Sequence, residues 1–358
     1  MALTAVVHDV LGLRAQRRRT TLWLAALTAG LVVTGVIAVG TGAIAISPGT
    51  VARVLSHQLF GLGEVTWAPA QEAIIWQVRL PRVLLGLLVG AGLAVCGVAL
   101  QAMVRNVLAD PYLLGINSGA SSGAAAAILF GAGAGFGQYA LPASAFLGAL
   151  AASLLVFLIA RSGGRVTSIR LLLAGVAVGY ALYATTSFLI FASGSAEGAR
   201  SVIFWLLGSL GLAQWNGLLA VVAVAVLATI ALLTLSGRGL DALAIGDETA
   251  HTLGVSPDRF RTLLLVLVAL TVGVVVSAAG SIGFVGLVVP HLARRAVGSA
   301  HSVAIPAAAL MGAILLVWAD VLARVLLQPQ EIPIGIVTAL LGAPFLIVLI
   351  RRFSARDV

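Results

Sequence analysis

The chain is 358 residues long, 61% hydrophobic and 9% charged. Soluble domains run near about 45–50% apolar and about 25% charged, so an ordinary soluble domain is excluded and a polytopic membrane protein is expected. The net charge of +9 does not signal nucleic acid, because the basic residues sit at the ends of apolar runs, and all 21 of them are arginine. Without lysine a phosphate-binding loop of the type GxxxxGK(S/T) cannot form, so any ATP that drives this chain must be hydrolysed by another.

A membrane-spanning helix needs about 20 mostly apolar residues. Arg14, Arg17, Arg18 and Arg19 precede an uncharged run that predicts a first span at 22–45, longer than the apolar core of a signal peptide. Residues 1–21 are then a cytoplasmic N-terminal segment. A polar, mixed segment follows from Ser47 to Arg82. The second span is expected at 83–104, and a short polar turn runs from Arg105 to Pro111. From Leu113 to Ala160 there are 48 residues without a charge, which the glycines and Pro142 divide into spans at 114–131 and 141–160. Arg161, Arg165 and Arg170 close that pair. Spans five and six fall at 171–192 and 214–235, with an interfacial helix around Trp205, Gly208 and Gly211 between them. The uncharged stretch Thr262–Pro290 is 29 residues, long for one span and short for two. Two further spans are expected at 303–322 and 333–350.

The positive-inside rule decides how to read 262–290. Broken at Ala279-Gly280-Ser281 into two spans, it gives ten in total, with 16 arginines on the cytoplasmic side and 5 outside. Read as one span, it gives a split of 12 to 9. Ten helices with both termini cytoplasmic is therefore the expected topology, a single transmembrane domain over 1–358. The glycine-rich stretches 86–98 and 273–286 echo each other too faintly to establish a repeat.

One polar stretch interrupts the apolar sequence, Ser236–Arg261, and the same count places it in the cytoplasm. It reads as two short helices with a glycine hinge. Asp241 is expected to cap Ala242–Ile245, Gly246 to break the chain, Asp247 to cap Glu248–Leu253, and Gly254 to follow that helix. Ser256-Pro257-Asp258 is a fresh helix start. The stretch is either a solvated connector or a docking surface for a cytoplasmic partner.

No catalytic or metal constellation stands out. The five histidines are scattered, without HExxH. GASSG at 119–123 lacks the GxSG pattern and reads as close helix packing, and Cys96 as a small core residue. Asp320 alone among the carboxylates approaches a span's interior, and Arg324 four residues later is its local partner. Ion-coupled carriers hold carboxylates at mid-membrane depth. A secondary transporter and a membrane enzyme thus stand behind uptake or export driven by a separate ATPase.

From about residue 70 onward, the chain resembles the permease subunits of ABC importers for ferric siderophores, haem and vitamin B12. The resemblance is carried by Trp76–Arg82, Ala91–Ala94 with Gly97 and Gln101, Arg105–Pro111 and Leu114–Ala120. It continues through Ala174–Ala177, Trp205–Gly208, Gly246–Ala250 with Leu253-Gly254, and Gly280–His291. Ala319-Asp320, Arg324, Glu331–Gly335 and Gly342–Pro344 complete it. Val107 departs from the pattern, which more often has proline there.

The resemblance implies the type II ABC importer permease fold in a bacterial inner membrane. Two permease subunits, expected as a homodimer, form the pathway between them. Two ATPase subunits carrying ATP and magnesium dock below, and a substrate-binding protein docks above; this chain itself holds no cofactor. Residues 240–254 match the coupling helices, with Gly246 as the bend, Asp247 and Glu248 as polar contacts, Thr249 and Ala250 within the motif, and Leu253 followed by Gly254 as an apolar anchor. Arg79, Arg82 and Arg324 match positions that meet acids on the binding protein; membrane snorkelling or internal pairing with Asp320 or Glu331 is the competing role. Gly115, Asn117, Ser118 and Ser121 are candidates for the pathway. His291 is expected to pack or cap rather than to bind haem. An iron–siderophore complex is the expected substrate, with haem and vitamin B12 as alternatives.

Overall fold

A computed structural model describes residues 13–42, 44–161 and 167–354, and helices account for nearly all of their ordered structure. In chain order they are α1 (Leu13–Gly40), α2 (Pro48–Phe60), α3 (Pro69–Ala73), α4 (Leu80–Val104), α5 (Ile116–Phe130), α6 (Ala140–Ala160), α7 (Ser168–Ala192), α8 (Ala196–Leu206), α9 (Gly217–Leu235), α10 (Gly237–Ile245), α11 (Asp247–Thr252), α12 (Pro257–Ala279), α13 (Val285–Val297), α14 (His301–Val325) and α15 (Ile334–Ser354). Seven helical segments among the described residues are long and apolar enough to cross a membrane: α1, the rod Pro69–Val104, Ala134–Ala160, α7, α9, α12 and α14. The helices α5, α13 and α15 stand at the other expected spans. Arg165 and residues 1–12 lie outside the described residues.

The 47–82 segment is more helical than its polarity suggests. Ser47 accepts the Thr50 amide at 3.2 Å and Pro48 opens the first turn of α2, the ordinary chemistry of a helix start. Further on, α3 runs through a π-helical turn at Ile74–Arg79 directly into α4. Pro81 has no amide proton and its ring crowds the carbonyl four residues back. The widened turn before it lets the rod continue, and it aims Arg79 into the protein.

The rod's α4 part is buried along almost its whole length and forms the core against which α9, α12, α13 and α14 pack. Its glycines are contact points. A Cβ on Gly97 would lie 1.9 Å from the Gly286 carbonyl oxygen of α13, so backbone meets backbone there. The glycine-rich stretches 86–98 and 273–286 thus touch at this point, while Gly90 packs on Gly312 of α14 and Gly273 on Phe146 of α6. In the same way, a Cβ on Gly119 would lie 2.3 Å from the Gly148 carbonyl oxygen of α6. This is the close packing expected of the small residues at 119–123.

The 262–290 stretch resolves unequally. One full span, α12, takes its first turn from the polar loop, and a 13-residue helix, α13, follows after a non-helical break at Gly280–Phe284. Exposed backbone groups are costly in a bilayer, and Tyr112 satisfies this break from both sides. Its hydroxyl donates to the Ile282 carbonyl at 2.9 Å and accepts the Ile282 amide at 2.8 Å.

Candidate functional site

At one end of the bundle, the polar loop folds as α10 and α11. Gly246 separates them in an extended conformation, φ 159° and ψ 162°. A Schellman motif closes α11: the Gly254 amide reaches the His251 carbonyl at 3.0 Å and the Val255 amide reaches that of Ala250 at 2.8 Å, with Gly254 at φ 79°. That left-handed position suits glycine. Pro257 then opens α12 as expected, although Ser256 makes no side-chain cap.

Both predicted caps in this loop have other partners. Asp241 lies inside α10, which begins earlier, at Gly237. Its Oδ1 instead accepts the His301 amide at 3.0 Å and meets His301 Nδ1 at 2.5 Å, tying α10 to the unsatisfied first turn of α14. Asp247 makes no cap either. Its carboxylate accepts both terminal nitrogens of Arg261, at 2.9 and 2.7 Å, and Arg105 at the end of α4 approaches to 3.8 Å. The Arg261 hydrogen bonds, followed by its positive charge and that of Arg105, hold the Asp247 carboxyl below the usual carboxylate range. Ala250 is fully buried between α10 and α12 and offers no outward contact.

What points outward is a compact mixed surface. Glu248 and His251 are exposed, flanked by the apolar side chains of Ile245 and Leu253 at 71% and 65% exposure. Sequence reasoning singled out Glu248 and Leu253 but missed Ile245, whose signal was a large aliphatic residue directly before the glycine break. Burying two exposed aliphatic side chains of this size contributes about 1.5–3 kcal/mol each. The loop therefore has the makings of a docking surface, with α4, α12 and α14 attached behind it.

At the other end of α14, roughly 35 Å away at 1.5 Å per residue, lies a cluster of three arginines and two acids. Arg79 is 6% exposed and donates to the carbonyls of Val39, Gly40 and Ile44 at 3.0, 3.0 and 2.5 Å. Arg324, also 6% exposed, donates to the Thr41 and Ala38 carbonyls at 2.6 and 3.2 Å and pairs with Asp320 at 3.0 Å. These carbonyls belong to the last turn of α1 and to the segment that follows it, as far as Ile44. Arg82 pairs with Asp320 at 2.9 Å and with Glu331 at 2.8 Å. Arg82 and Arg324 make the internal pairs weighed for them, whereas Arg79 pairs with neither acid and is held by backbone carbonyls. Arg79 and Arg324 are not presented to a partner, and Glu331, with its side chain 51% exposed, is the open member of the cluster.

The four pathway candidates sit in helix contacts of α5. Gly115 is the left-handed junction into α5. Ser121 is buried and donates to the Asn117 carbonyl at 2.8 Å. The Asn117 side-chain oxygen is buried with no hydrogen-bond partner among the described residues. Ser118 is half-buried on the side facing Gly179 of α7. A more open polar face lies on α7, where Tyr180 and Tyr183 are 74% and 69% exposed near the helix middle. His291 packs edge-on against Phe345, ring centres 6.1 Å apart.

Residues 30–352 match the FecCD transport family. The chain is 40% identical to the vitamin B12 import system permease protein BtuC of Klebsiella pneumoniae, over 95% of this chain and 97% of that one. It is 43% identical to the hemin transport system permease protein HmuU of Yersinia pestis, over 80% of this chain and 86% of the relative. Among solved structures, a metal-chelate type ABC transporter in an inward-facing conformation superposes with a TM-score of 0.80 at 36% identity, covering 92% of this chain and 98% of that one.

Proposed function

The chain belongs to the FecCD transport family and is a multi-pass ABC importer permease, and from that premise we propose that it conducts a metal chelate, an iron–siderophore complex first, through the bacterial cytoplasmic membrane. It is a transport subunit rather than a catalytic enzyme. Haem and vitamin B12, the ligands named for the two relatives, are the alternative cargoes. Both termini face the cytoplasm in this reading, which puts α10 and α11 there as well.

The observation that carries the coupling part is the outward surface of Ile245, Glu248 and Leu253 on a loop anchored to three core helices. Two copies of a separate ATPase dock on it, one per permease. Closure of the ATPase pair pulls α12 through Arg261, α4 through Arg105, and α14 through the Asp241–His301 contact. A second permease, expected as an identical copy, covers α7. Tyr180 and Tyr183 turn outward there, 74% and 69% exposed, and each presents an apolar ring with a polar tip. A pathway between subunits suits them better than lipid tails. A binding protein docks at the opposite end, where Glu331 and Arg82 form the accessible part of the charged cluster.

The test is reconstitution of the permease with its ATPase in proteoliposomes. Binding-protein-delivered chelate should accumulate only with ATP inside, and candidate siderophores, haem and vitamin B12 compete for the same uptake. Accumulation that follows an imposed ion gradient without ATP would overturn the assignment of the energy source.

A further inference from the structure

Between α6 and α12, close to the α10–α11 end, the surface opens into a groove of about 310 Å³. Its walls are two helical stripes. On α6 these are Leu150, Leu154 and Phe157; on α12 they are Thr262, Val266 and Leu270. Leu154 and Val266 are more than half exposed. The few hydroxyls on the walls face away from the groove chemically: Ser153 donates to the Ala149 carbonyl at 2.8 Å and Thr262 to the Asp258 carbonyl at 2.9 Å, each within its own helix. The lining thus has no free polar function to offer a hydrophilic solute. From Thr262 to Leu270 it runs roughly 12 Å along the helix axis.

Each stripe ends in an exposed arginine on the same helical face. Arg161 follows Phe157 by four residues, and its guanidinium lies 5.8 Å from the centre of that ring. Arg259 precedes Thr262 by three residues and Val266 by seven. Arg170, exposed at the start of α7, is a third basic residue near this end of the bundle. None of the three arginines has a carboxylate partner among the described residues. Asp258, the nearest acid in sequence, is turned about 100° from Arg259 around the helix.

We propose that this groove binds an anionic phospholipid of the cytoplasmic leaflet, one acyl chain lying between α6 and α12 and the phosphate held by Arg161 and Arg259. An apolar slot crowned by unpaired guanidinium groups has the polarity of such a lipid from tail to head. A second copy of the chain is a poorer occupant, because an isologous contact here would set the same arginine rim against itself. The leaflet follows from the orientation proposed above; the binding does not depend on transport.

Native mass spectrometry of the detergent-solubilised permease tests this with palmitoyl-oleoyl phosphatidylglycerol and the phosphatidylcholine of the same chains, each at equal concentration. Wild type should retain phosphatidylglycerol preferentially. Arg161→Gln with Arg259→Gln should lower its retention about fivefold per arginine and bring it to the phosphatidylcholine level. Arg200→Gln, at the opposite end, should leave the preference intact. Val266→Trp fills the exposed mouth of the groove and should remove both lipids while leaving the thermal unfolding midpoint unchanged. Equal retention of the two lipids by wild type, or an unchanged preference in the double variant, would overturn the proposal. So would equal loss in Arg200→Gln. High-yield oxidative cross-linking of Leu154→Cys chains to one another would assign the groove to a second copy instead. Uptake in proteoliposomes without a lipid preference would sink the lipid site alone, and a lipid preference without ATP-driven uptake would sink only the transport reading.

Discussion

The carboxylate of Asp247 grips Arg261 at two points, 2.9 and 2.7 Å, and this pair ties α11 to the first turn of α12. Asp247 thus positions the docking loop, and in the reading proposed above the exposed Glu248 beside it is the contact with the ATPase. Asp247→Arg should reduce ATPase co-purification and uptake, because like charges then face each other across the pair. Exchanging the partners, Asp247→Arg with Arg261→Asp, should restore a substantial part of both. Loss in the single variant without rescue by the exchange would return Asp247 to the docking surface.

The same pair fixes a pH dependence. The folded-state carboxyl of Asp247 sits below its ordinary value, chiefly through the Arg261 hydrogen bonds. Its stabilising contribution is therefore fully present above the unfolded value of about 3.9 and is lost only as pH falls through the lower folded value. ATPase co-purification should stay level between about pH 8 and pH 5 as far as this pair is concerned. A midpoint near neutrality that Asp247→Asn abolishes would contradict the assignment.

Most spans were legible as apolar runs flanked by arginine, the two in 113–160 through the glycines and Pro142 that divide them, and the break at Gly280 because two spans balanced the arginine count better than one. The partners of the charged side chains were not legible. Asp241 and Asp247 each precede a plausible helix start, and nothing local shows that His301, sixty residues on, or Arg261 offers a better donor. The outer arginines were ambiguous for the same reason. Whether Arg79 faces a partner or the carbonyls at the end of α1 depends on a π-helical turn and a crossing forty residues away in sequence. Glu248, Leu253 and Gly254 were readable because exposure and turn chemistry are local.

Asp320 is 2% exposed and neutralises two arginines at once, Arg82 and Arg324. Removing one member of a buried ion network costs about 3–5 kcal/mol, because the remaining charge is left uncompensated. Asp320→Ala should therefore sharply lower the unfolding midpoint in detergent. Glu331→Gln removes a half-exposed partner and should cost under about 1 kcal/mol. Comparable losses from the two would show that the cluster is not organised around Asp320.

At Gly97 the crossing of α4 and α13 leaves no space for a side chain, since a Cβ would sit 1.9 Å from the Gly286 carbonyl oxygen. Gly97→Ala must push the helices apart, and overpacking of this kind costs about 1–3 kcal/mol. Gly35→Ala, where a Cβ meets nothing within 4 Å, is the matched control. Denaturation in detergent should separate the two, and equal stability would mean that the crossing relaxes freely.

Leu253 and Ile245 supply the apolar part of the proposed ATPase contact, and neither supports the fold, each being mostly exposed. Leu253→Asp should weaken ATPase association roughly tenfold, in the range of an interface residue that matters, with no change in the permease's own unfolding midpoint. Ile245→Asp should act in the same direction. Added salt should weaken the contribution of Glu248 while leaving the two apolar contributions in place, because screening acts on exposed charge and not on buried hydrocarbon. Co-purification unaffected by either apolar substitution would place the ATPase elsewhere on this face, with α10 and α11 only bracing α4, α12 and α14.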